Sequence, residues 1–107
     1  MPHRPTERLP ELRAVLQLCC GMAELLTHSE SDWGSATFTG RRHIIGLRFK
    51  GGDAIAHAEA LICELPSHEF TLAGKIVCDA SIVAVDRVCK PEPETTMAIE
   101  LLILDDT

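Results

Sequence analysis

The stretch "TGRRHIIGLRFKG", residues 39–51, decides how the rest of the chain is read. It carries Arg41, Arg42, Arg48 and Lys50 and no acid, within a chain of formal net charge -6. From Arg42 to Lys50 it alternates. His43, Ile45, Leu47 and Phe49 fall on one face, and Arg42, Ile44, Gly46, Arg48 and Lys50 on the other. A two-residue period with β-branched and aromatic residues predicts a strand with one core face. The positive charge is therefore a stripe on the opposite sheet face, with Arg41 near a turn at Gly40.

Reading toward the N-terminus, "GSATFT", residues 34–39, also alternates and makes a hairpin with this strand. Before it, "THSESDW", residues 27–33, reads as a polar connection. A helix is expected from Leu9 or Pro10 to about Thr27, because proline suits the first turn. At 100° per residue its apolar residues, Leu9 through Leu26, spread over about 220° of the circumference. That is too broad for a helix lying on one sheet alone. Residues 1–8, with Pro2 and Pro5, read as a frayed start.

Toward the C-terminus, Gly51 and Gly52 break the strand and Asp53 can cap a helix over 54–65. Ile55, Ala58, Ile62 and Leu65 form its stripe, with Leu61 beside it, and Pro66 ends it. Phe70 and Leu72 are expected to tuck under the sheet edge. Residues 75–89 form a β-branched strand, "KPEPE" a connection, and residues 95–105 a last strand. In that strand Met97, Ile99, Leu101 and Ile103 share one face. The order is α-β-β-α-β-β, hence an α+β single domain over 1–107, with a four-stranded, mainly antiparallel sheet and two helices. Strands three and four are apolar on both faces, so either helices cover both sides or a second copy covers one. Together with the broad first helix, this points to a homodimer.

Composition narrows the function. Outside 39–51, the other 6 of the 10 bases face all 16 acids, which argues against nucleic-acid binding. The element order is similar to the repeat of the LAGLIDADG homing endonucleases. The chain has no such motif and no clustered acids in its first helix, so DNA cleavage does not carry over. "AVLQLCCGMA", residues 14–23, is interrupted by Glu24 and too short to span a bilayer, so no membrane partner is expected. Five cysteines, an odd number without C-x-x-C spacing, imply free thiols packed as small hydrophobes in a reducing cytoplasm. No phosphate-binding, zinc-protease or serine-nucleophile motif occurs. "GGD" at 51–53 reads as a strand-to-helix turn, although amides there, beside Lys50, could hold an anion.

The ligand-type residues Cys19, Cys20, His28, His43, His57, Cys63, His68, Cys78 and Cys89 show neither zinc-finger nor i,i+4 histidine spacing. No metal, no cofactor and no catalytic residue are therefore expected. Candidate ligand-binding residues are Arg42, His43, Arg48 and Asp79. Asp79 interrupts an apolar strand, and Arg42 and Arg48 could pair with it across the sheet. The basic stripe could receive an acidic or anionic partner by bidentate arginine contacts, or meet the sheet's own acids. The leading reading is a homodimeric binding or accessory module without a recognisable catalytic motif. The alternative is a small-molecule-binding protein or enzyme with a polar site where His43, Asp79, Arg42 and Arg48 converge.

Overall fold

The computed structural model of the chain describes residues 10–34, 39–70, 75–89 and 91–105. In chain order the elements are helix α1 (Pro10–Leu18), strand β1 (Glu24–Gly34), strand β2 (Thr39–Lys50), helix α2 (Gly52–Glu64), one 3-10 turn (Leu65–Ser67), strand β3 (Lys75–Val88) and strand β4 (Glu94–Asp105). The α-β-β-α-β-β order and the four-stranded antiparallel sheet stand as read from the sequence. Strand order across the sheet is β1-β2-β4-β3, so the two most alternating strands lie at the centre.

Alternation on β2 and β4 sorts the sheet into two faces. Ile45, Leu47 and Phe49 of β2 and Met97, Ile99, Leu101 and Ile103 of β4 are all buried. They share one core with Leu12, Val15 and Cys19 from α1 and Ala54, Ala58 and Leu61 from α2. Both helices thus pack on the same side. The shortest extent of the molecule, 20 Å, matches one sheet and one helix layer about 10 Å apart. Each fully buried Leu, Ile or Phe contributes roughly 1.5–3 kcal/mol. This single core is therefore the main source of stability.

The first helix is shorter than its apolar pattern suggests. It stops at Leu18, because Cys20 (φ 57) and Gly21 (φ 74) both turn left-handed. The Gly21 N–H reaches back to the Leu16 carbonyl, and the Cys20 N–H to the Gln17 carbonyl. This is a Schellman cap, with cysteine where glycine is usual. Leu12, Val15 and Cys19, spaced i, i+3, i+7, make one narrow stripe, so the 220° spread came from running the helix into a strand. Residues 27–33 are part of β1 rather than a connection. Gly40 lies within β2 opposite Trp33 and Leu104, not at the turn, and Arg41 is likewise in the strand. A Cβ at Gly40 would run into the Ile103 carbonyl, so close backbone approach, not turning, selects glycine there. The rest of the expected "GSATFT" strand, at 35–38, lies outside the described residues, as do residues 1–8 and Leu72.

Helix α2 is rotated by about one residue from its expected stripe. Ala54, Ala58, Leu61 and then Leu65 are buried, while Ile55 and Ile62 are partly buried at the flanks. Asp53 sits in the first turn, where its charge suits the helix dipole. Gly51 (φ 92) occupies the cap without a side-chain bond. Phe70 packs against the core and holds the His68 ring edge-on at 4.6 Å. β3 bulges between Val77 and Asp79 and between Ile82 and Ala84, and β1 between Leu25 and Thr27. Both are edge strands, where bulges hinder pairing with other sheets.

Two expectations follow for the core. The Thr95 hydroxyl is buried without a hydrogen-bond partner. Thr95→Val should raise stability by about 1 kcal/mol, read as a later urea midpoint with unchanged slope. The cysteines are free, but Cys19 alone is buried, against the expectation that all pack as hydrophobes. Burial, and secondarily the neighbouring Cys20, push the Cys19 thiol up to about 12. A thiol reagent at mild alkaline pH should label Cys20, Cys63, Cys78 and Cys89 quickly and Cys19 only on unfolding, as mass mapping of the labelled peptides would reveal.

Candidate functional site

The register fixes which side chains meet on each face. On the face away from the helices, one row crosses the sheet as Trp33, Gly40, Leu104 and Ile76. The next rows are Ser31, Arg42, Leu102 and Asp79, then Ser29, Ile44, Glu100 and Ser81, then Thr27, Gly46, Ala98 and Ala84. Ile76 is 51% exposed, while Ile44, Ala98, Leu102 and Leu104 are half-buried. One end of this face is therefore apolar, and the other carries Arg48 and Glu24.

The basic stripe is neutralised within the chain. Arg42 pairs with Glu100 at 3.0 Å, Arg41 with Glu30 at 3.0 Å, and Lys50 with Glu92 at 3.9 Å. Arg48 grips both Glu24 carboxylate oxygens at 2.8 Å in a fork. This hydrogen bond, with the Glu24 charge behind it, holds the Arg48 guanidinium above its ordinary pKa. Each cation thus has an acid from the adjoining strand or connection. Lys50 points to the open face and to Glu92, so it does not complete an anion cradle at the α2 N-terminus.

The sequence candidates divide between the two faces. Arg42 and Arg48 lie on the open face. His43, 3% exposed, lies on the helix face. Asp79 is exposed on the edge strand β3 beside Leu102, while the two arginines take Glu100 and Glu24 instead. The four do not line one concave site, which removes the geometry that the small-molecule reading required.

The structure instead gathers a group that spacing concealed. His28 and Glu30, two apart on β1, share the helix-side face with His43 of β2, and Glu30 is directly opposite His43. The His28 Nε2 and His43 Nδ1 atoms are 2.9 Å apart, with the rings 12° from parallel. Ligand atoms of His28, Glu30 and His43 all lie within 4.8 Å of one another. Arg41, on the same face, holds Glu30 Oε2. The available signal was "HSE" at 28–30, which places two ligand types on one face only if the segment is a strand.

Comparison with known proteins adds the fold. No family model matches the chain, and no curated protein is similar to it in sequence. One chain in the virion of a native gene transfer agent particle is similar in structure. Its TM-score is 0.60 at 16% identity, over 77% of this chain and 67% of that one. At that identity the likeness is one of fold. Among the described residues, no helix is long and apolar enough to cross a membrane.

Because its cations are matched one by one, the stripe should not hold polyanions. The chain should pass a heparin column and leave duplex DNA unshifted at physiological salt. Glu24→Gln with Glu100→Gln should introduce measurable retention.

Proposed function

We propose that the chain is a structural, self-associating module whose helix-free sheet face packs against a second copy. The observation that carries this reading is the two-layer build. One face of the sheet is covered over its centre by α1 and α2, while the other presents Trp33, Ile44, Ile76, Ala98, Leu102 and Leu104 with no second layer over them among the described residues. A two-fold contact uses the same surface on both partners, so it needs a face that is self-complementary in charge. The centre of this face meets that condition. Arg42–Glu100 and Arg48–Glu24 are already paired in its plane, so a second copy can cover it while the exposed acids of the β3 edge, Asp79 and Asp86, stay in water.

The first helix no longer supports association, since its stripe is narrow and internal, and the case rests on the sheet. The similar chain in a virion supports the same reading by fold, because a virion is an assembly of chains. Four exposed free thiols fit a reducing compartment, which supports a cytoplasmic location as part of this proposal.

Sedimentation of the purified chain at micromolar concentration should give a dimer or larger species. Ile76→Glu and Leu102→Glu should each weaken association at least tenfold with far-UV circular dichroism unchanged. A monomer up to about 100 µM, well above the range of specific association, would refute the proposal. So would an oligomer indifferent to both changes.

A further inference from the structure

We propose that His28, Glu30 and His43 form a binding site for one divalent transition-metal ion, Zn²⁺ being the best fit. Two imidazoles and one carboxylate make a donor set suited to Zn²⁺ and its first-row neighbours rather than to Mg²⁺ or Ca²⁺, which prefer oxygen alone. Three protein ligands leave a fourth position for water or a partner's group.

The geometry comes close to what such an ion needs. The facing nitrogens, His28 Nε2 and His43 Nδ1, are 2.9 Å apart, so without metal one proton lies between them. Tetrahedral coordination at Zn–N distances of roughly 2.0–2.1 Å sets nitrogens about 3.3 Å apart. The nitrogens must part by only a few tenths of an ångström, but they face each other head-on, with ring centroids 5.2 Å apart, so a ring must also swing to bring both lone pairs onto one ion. His28 can supply that movement, being half-buried on the edge strand, whereas His43 is fixed in the central strand. The ion would take the place of the shared proton. Glu30 brings the compensating negative charge. Arg41 engages one oxygen of that carboxylate, which orients the group as outer-sphere partners do at metal sites.

The pattern also accounts for polar side chains on the helix-side face. Across the sheet the row runs Glu30, His43, Leu101 and Ala80, and the next His28, Ile45, Ile99 and Ile82. In these two rows the polar residues all lie at the β1 end. A metal there would tie the edge strand β1 to the central strand β2, and its binding energy would add to the stability of that hairpin.

The test is titration of the chelator-treated chain with ZnCl₂ by calorimetry, with melting followed in parallel. The exposed thiols are an alternative zinc sink, so the titration is repeated after they are alkylated. The expected result is one equivalent bound in both preparations. His28→Gln and Glu30→Gln, both substitutions away from the core, should each weaken binding at least tenfold while keeping the far-UV spectrum. Zinc at 100 times its Kd should raise the Tm of the parent chain by roughly 10 °C, and that of each variant by much less. Three outcomes overturn the proposal. They are no zinc binding tighter than about 100 µM, equal binding by parent and variants, or binding abolished by alkylation alone. Cu²⁺ broadening of the His28 and His43 ring resonances gives a second readout that exposed thiols would not imitate.

Discussion

The antiparallel pairing of β2 with β4 is the constraint from which the rest of the molecule follows. Its register sets Ile45 opposite Ile99 and Leu47 opposite Met97, which puts Ile45, Leu47, Phe49, Met97, Ile99, Leu101 and Ile103 on one side. A slip of one residue would send Arg42, Arg48 and Glu100 into the core and Ile45 and Leu101 into water. Burial of that row fixes the register, and the register then fixes all else. It leaves the second face to Arg42, Ile44, Ala98 and Leu102, and assigns the outer strands β1 and β3 to the two edges.

The central strands were legible because both signals, period and burial, agree in them. From His43 to Phe49 and from Met97 to Ile103 the alternation survives in the final structure residue for residue. β1 was not legible, for two separate reasons. Its outer half, Ser29 to Asp32, is polar on both faces, because an edge strand beyond the reach of the helices needs no core face. Its inner half, with Leu25 and Leu26, continues an apolar run that begins in α1, and periodicity alone cannot tell a strand from a further helical turn there. The signal that separates them is the left-handed pair Cys20–Gly21. Glycine follows the left-handed cysteine instead of standing in its place, so the usual sequence mark of a helix end was displaced by one residue.

The same omission hid the histidine group. Metal-ligand motifs are read from local spacing, but His28 and His43 are 15 residues apart and meet only through strand pairing. Without β1 there is no face for His28 and Glu30 to share. The basic stripe, by contrast, was legible in position and only partly in partner. Acids of the sheet itself were expected as partners, and Glu100 on β4 is one for Arg42. Glu24 could not be expected as one, since it was placed inside a helix rather than opposite Arg48 on β1. Asp79 was separated from both arginines by the width of β4, a distance that strand order alone determines.

Charge matching and the open face are linked. An apolar sheet face without charge would invite indiscriminate stacking, whereas a face with unmatched arginines would resist burial because each charge would lose its water. Here the arginines and glutamates satisfy one another across β1, β2 and β4, which keeps the face wettable and leaves its remaining acids, Asp79 and Asp86, at the β3 edge where they can stay in water. The apolar row of Trp33, Leu104 and Ile76 lies at the end remote from Arg48 and Glu24, so one sheet face combines an adhesive end and a polar end. The histidine group lies across the thickness of the sheet from this surface. A ligand on His28, Glu30 and His43 would strengthen the β1–β2 pairing beneath the face without occupying it. Assembly through the open face and occupancy of the edge site are thus physically compatible in one small domain.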